Sequence, residues 1–90
     1  MNGQSEMLSL VGKFLRGEDR SMGLMAKIEK EMIAKYLDDE VYDLLAEPIS
    51  LYRPGAGIPY YDEGDMVEVL KSVVDILERR PEGWRDTEGY

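Results

Sequence analysis

Neither cysteine nor histidine occurs in this chain of 90 residues. Without cysteine there is no disulfide framework and no thiolate metal site. Without histidine the usual general base near neutral pH is missing, and the absent cysteine removes the strongest nucleophile. Paired carboxylates can still carry acid–base chemistry, but they need burial to split their pKa values. The acids of this chain lie in polar company. The expectation is a protein that is not an enzyme, with no cofactor, no metal and no small-molecule substrate. Long apolar runs are lacking too, so no stretch approaches a transmembrane span. The opening Met1-Asn2-Gly3-Gln4-Ser5-Glu6 has neither the basic end nor the apolar core of a signal peptide. A cytoplasmic location without a membrane partner is expected.

Bases are scarce in one place only. Residues 36–70 hold nine acids and a single base, Arg53, which accounts for the whole net charge of −8. The acids and bases elsewhere cancel. Charge gathered on a patch raises a local potential of several kT and attracts something basic. The same imbalance argues against nucleic acid as a ligand, because phosphate binding needs clustered Lys and Arg. A basic protein surface is the expected partner.

What remains is globular in character: 43% of the chain is hydrophobic and 33% charged, richer in core-forming residues than disordered chains are. Its length suits one small domain, expected over 1–81, with a tail at 82–90. Met7, Leu8, Val11, Phe14 and Leu15 repeat at three and four and predict a helix over about 5–16, capped by Ser5 and stopped by Gly17. After a polar link, Ser21 is the expected N-cap of a second helix with a stripe of Met22, Met25, Ile28, Met32, Ile33 and Tyr36. A third helix starts at Asp38 and Asp39 with Val41, Leu44 and Leu45 facing inward, and Pro48 predicts a break or kink. Two prolines and two glycines make residues 53–59 a loop. The last helix runs from near Asp62 to Arg80 on a seam of Met66, Leu70, Val73 and Leu77, with Pro81 as the stop. The tail has no periodicity, and Trp84 is expected to fold back onto the body. Together these predict an all-α protein, a small antiparallel four-helix bundle.

Some of the acids have a purely local use. Asp38, Asp39 and Glu40 fall at one helix start and Asp62, Glu63 and Asp65 at another, where each stabilises the macrodipole by about 0.3–1 kcal/mol. Asp39, Asp43 and Glu47, however, recur every four residues with no base between them. Each such like-charge pair costs about 0.2–0.5 kcal/mol. Glu68 follows Asp65 by three and adds another. Unrelieved repulsion implies a surface kept for something outside. Tyr60 and Tyr61 precede the second cluster and suit an interface, since tyrosine presents large area at low entropy cost; the plain alternative packs one ring in the core and the other over the loop. The expected binding surface is therefore Asp39, Asp43, Glu47, Tyr60, Tyr61, Asp62, Glu63, Asp65 and Glu68. Other motifs fail. Asp62-Glu63-Gly64-Asp65 lacks the ligand pattern of an EF-hand, Gly55-Ala56-Gly57 follows no strand as a phosphate cradle would, and a carrier protein's Asp-Ser-Leu attachment site does not occur.

The stretch Leu8-Ser9-Leu10-Val11-Gly12-Lys13-Phe14-Leu15-Arg16-Gly17, followed by Ser21 and an amphipathic helix, resembles the opening of the colicin D immunity proteins. Leu51-Tyr52-Arg53-Pro54, then Tyr61-Asp62-Glu63-Gly64-Asp65 and a helix ending Val74-Asp75-Ile76-Leu77, is similar to that family's aromatic-x-Pro loop, Tyr-acid segment and final helix. The resemblance implies a helical bundle that binds the basic nuclease domain of a cognate toxin, a released colicin or the tip of a contact-dependent inhibition system. It further implies that carboxylates fill a tRNA-cleaving active site in place of phosphates. Where family members carry acids around the aromatic-x-Pro element, this chain has Ser50, Arg53 and Gly55. The immunity proteins of DNase colicins and pyocins are a second likeness, through the Tyr60-Tyr61 pair before the last helix. An acidic adaptor docking a basic segment through exposed methionines is the reading from a different class.

Overall fold

The computed structural model describes residues 3–80. Within them, apolar residues at helical spacing build α1 (Gly3–Leu15), α2 (Met22–Lys35), α3 (Glu40–Leu51) and α4 (Glu63–Glu78). Each helix packs on its neighbour in the chain, and α4 returns to α1. The result is an all-α four-helix bundle. Its core is one cluster, in which Met7, Val11 and Phe14 of α1 meet Met25, Ile28 and Met32 of α2, Val41 and Leu45 of α3, and Met66, Leu70, Val73 and Leu77 of α4. Each such side chain contributes roughly 1.5–3 kcal/mol when fully buried.

The helix starts follow the sequence closely. Ser21 accepts from the Leu24 amide at 3.1 Å and opens α2. Asp39 accepts from the Val41 amide at 2.9 Å and opens α3. At α4, Asp62 and Asp65 form a reciprocal capping box, with the Asp65 amide donating to Asp62 and the Asp62 amide donating to Asp65. Gly17 ends α1 at φ +77°, a left-handed conformation that a side chain would strain.

Four expectations need correction. The first helix begins at Gly3, so Ser5 lies inside it rather than at its cap. Pro48 does not break α3, which continues through it to Leu51. Pro48 forfeits one backbone bond to the Leu44 carbonyl, whereas Val41 and Leu45 before it and Ile49 after it are all buried. Their burial on both sides of the proline outweighs one lost bond. Third, Met22 and Ile33 are about half exposed, at 54% and 49%, while Leu24 is buried in their place. The α2 stripe is thus rotated toward Leu24, because the core-facing arc centres on Met25, Ile28 and Met32. Fourth, the link before α2 is not simply polar. The Arg20 guanidinium lies 5.2 Å over the Phe14 ring and donates to the Phe14 carbonyl at 2.8 Å, closing the end of α1. The Arg20 carbonyl accepts from the buried Tyr52 hydroxyl at 2.8 Å, and Tyr52 meets Phe14 edge-on at 5.7 Å. The expected tail at 82–90 and the placement of Trp84 lie outside the described residues.

Candidate functional site

Residues 53–60 form a projecting loop whose two ends are tied together. The Tyr61 amide donates to the Leu51 carbonyl at 2.8 Å and the Arg53 amide to the Tyr61 carbonyl at 2.9 Å, a single parallel bridge between Tyr52 and Tyr61. This bridge holds the start of α4 against the end of α3. Between the two helices it leaves an open groove of about 380 Å³. Leu44, Pro48 and Val69 supply its apolar surface, Asp43, Glu47 and Glu68 its carboxylates, and Tyr61 also lines it. Pro48 therefore has a second consequence: with its side chain buried between the helices, it forms part of the groove.

The nine residues expected to bind divide sharply. Asp39 is committed to the fold, because besides capping α3 it takes a two-pronged ion pair from Arg80 at 2.9 and 3.0 Å. Only 6% of the Asp39 side chain and 19% of the Arg80 side chain remain exposed. The expectation that no base relieves the row Asp39, Asp43 and Glu47 is thereby corrected at its first member, since the relieving base is 41 positions away in sequence. Asp62 and Asp65 are joined in the capping box. Glu63 reaches Arg20 at 3.3 Å and ties the start of α4 to the α1–α2 link.

Asp43, Glu47 and Glu68 are what is left. Asp43 sits in the first turn of α3, where the dipole favours it, and Glu47 one turn later. Both are exposed. Among the described residues neither forms an ion pair. Among the described residues the Glu68 carboxylate meets only Lys71, at 3.8 Å and in full view of solvent, a contact worth about 0–1 kcal/mol. So three carboxylates from two helices face one groove, and residues from both acidic clusters are brought together there.

The tyrosine pair is split. Tyr61 is half-buried against the groove, whereas Tyr60 is 38% exposed on the loop with the Arg53 guanidinium 5.4 Å over its ring. Arg53, the single base of the acidic third, thus partners an aromatic ring rather than a carboxylate. Of the remaining tyrosines, Tyr36 is buried, as the α2 stripe predicts, and Tyr52 is buried too. Burial holds the Tyr52 phenol above its ordinary pKa of 10.0, and the nearby Glu63 carboxylate adds to the effect. A methionine groove does not form: Met7, Met25, Met32 and Met66 are buried, and of the described methionines only Met22 is exposed.

No group of acids among the described residues is arranged to hold a metal ion, and no helix there is long and apolar enough to cross a membrane. No protein-family model matches this chain, and neither does any curated protein or solved structure.

Proposed function

We propose that this chain is an immunity-type inhibitor that neutralises a toxin nuclease by presenting the α3/α4 groove to the enzyme's basic cleft. The family resemblance supplies the partner class. The observation that carries the reading is the convergence of Asp43, Glu47 and Glu68 on one groove beside Tyr61, with none of the three used to cap a helix. A nuclease cleft holds phosphates with Lys and Arg, so a rigid set of carboxylates on folded helices is a ready substitute. The groove's apolar surface suits the aliphatic stems of those bases while the carboxylates meet their charged heads. Uncompensated charge on the patch steers the encounter, and desolvation in the complex strengthens each pair.

A tRNase is the favoured target, as the resemblance to the colicin D immunity proteins implies. Asp43 and Glu47 lie on α3 and Glu68 on α4. The exposed Tyr60 ring keeps an exosite mode, as in the DNase-type immunity proteins, as the second reading. The reading expects a toxin gene beside this chain's gene, and the test uses the purified nuclease domain of that toxin; a neighbourhood without one counts against the reading. Wild-type chain is expected to block tRNA cleavage competitively, and D43K/E47K/E68K to lose that block while its circular dichroism is unchanged. A complex that still binds a short substrate analogue as well as free enzyme does would move the reading to the exosite. Undiminished cleavage with wild-type chain in excess would overturn inhibition altogether.

A further inference from the structure

We infer that Ile58, presented on the tied loop at 53–60, is a preformed apolar anchor that is buried against the partner seated on the α3/α4 groove. The inference builds on the inhibitor reading and names a second contact for the same partner. Ile58 is 99% exposed, more than any other large apolar side chain of the described residues. A single exposed apolar residue is ordinary. Here the whole loop is exposed, and Pro54, Ala56, Pro59 and Tyr60 place further apolar surface around Ile58.

The loop is held in shape without a core of its own. The Tyr52–Tyr61 bridge closes its base. Inside it the Ala56 amide donates to the Arg53 carbonyl at 3.1 Å and the Tyr60 amide to the Gly57 carbonyl at 2.8 Å. Gly55 and Gly57 take φ of +85° and +81°, a turn geometry that other residues resist, and no neighbouring atom crowds either position. The Arg53 guanidinium lies over the Tyr60 ring and, among the described residues, pairs with no carboxylate. An anchor already ordered before binding loses little conformational entropy on docking.

The loop also adjoins the groove, since Tyr61 belongs to both its base bridge and the groove lining. A partner seated on Asp43, Glu47 and Glu68 therefore meets the loop at the Tyr61 end. The division of labour follows: carboxylates set the rate of encounter, and Ile58 sets how long the complex lasts.

The experiment measures association and dissociation rates between the full chain and the nuclease domain encoded beside its gene, for wild type, I58A, I58D, I33A and D43K/E47K/E68K. Ile58 makes no packing contact to lose, and circular dichroism verifies each fold. I58A is expected to speed dissociation about tenfold or more, as removal of a buried apolar anchor does, with I58D worse and the salt dependence of association unchanged. I33A removes a half-exposed isoleucine from α2 and is expected to change nothing. Should I58A and I58D stay within about twofold of wild type while D43K/E47K/E68K loses binding, the anchor is refuted and the inhibitor reading stands. Equal effects of I58A and I33A would also refute it. Absence of binding by the wild-type chain would remove the inhibitor reading and the anchor with it.

Discussion

The acids at the helix starts and the acids along the α3/α4 groove are the same residue types in the same third of the chain, yet they have different work. Asp39, Asp62 and Asp65 accept backbone amides, and Asp39 also holds Arg80. Asp43, Glu47 and Glu68 accept no backbone amide among the described residues and repel each other across and along the groove. Charge alone does not mark a binding surface. What sets the groove carboxylates apart is that they neither cap a helix nor hold a buried base. The two sets make different demands on stability: removal of the first kind weakens the fold, whereas removal of Glu47, beyond the first turn of α3, relieves repulsion.

Asp39 gives the largest expected effect. Asp39→Ala removes the α3 cap and leaves Arg80, which is 19% exposed, without its two-pronged partner. A loss of about 2–4 kcal/mol is expected in urea denaturation. Asp39→Asn keeps a capping oxygen but not the charge, and roughly half that loss is expected. If the Asn variant were as weak as the Ala variant, the ion pair and not the cap would be the essential contribution.

Tyr52 comes next and tests the contact that links Arg20 to the end of α3. Tyr52→Phe deletes the bond to the Arg20 carbonyl at a cost of about 1 kcal/mol. It also changes the response to alkali. The folded phenol titrates above 10.0, so below that pH both states are protonated and the wild-type stability is intact. As pH rises past that value the unfolded chain loses the proton first, and stability falls until the folded phenol titrates as well. Urea midpoints of the wild type are expected to drop above about pH 10 more steeply than those of Tyr52→Phe. Parallel curves would show that Tyr52 is not shielded by burial.

The smallest effect has the opposite sign. Glu47→Gln relieves repulsion with Asp43 one turn earlier and is expected to raise stability by about 0.2–0.5 kcal/mol. It should nonetheless slow capture of the nuclease domain. A destabilised Glu47→Gln would mean that Glu47 has a structural partner after all, and would move it to the other set.

The helices and most of the core were legible because burial repeats at three and four. Met66, Leu70, Val73 and Leu77 lie where that spacing puts them. Local chemistry also revealed the cap at Ser21, since capping acts within three residues, whereas Asp62, expected in the first turn of α4, proves to be its N-cap. Long-range polar contacts were not legible. Nothing near Asp39 announces Arg80, and a link residue such as Arg20 carries no periodic signal for its contacts with Phe14, Tyr52 and Glu63. Pro48 misled because local backbone cost is visible in sequence while the burial of Ile49 beyond it is not. The groove was half legible. A four-residue spacing placed Asp43 and Glu47 on one face of α3, but only the packing of α3 on α4 sets Glu68 and Tyr61 beside them.

The most direct measurement is the association rate of the full chain with the nuclease domain encoded beside its gene, followed from about 0.01 M to about 1 M salt, where the screening length shrinks from about 30 to about 3 Å. The wild-type rate is expected to fall by more than tenfold over that range, and D43K/E47K/E68K to associate slowly at every salt concentration with little slope. A wild-type rate that is flat with salt, or a triple variant with the wild-type slope, would contradict the claim that the groove carboxylates recognise a basic cleft.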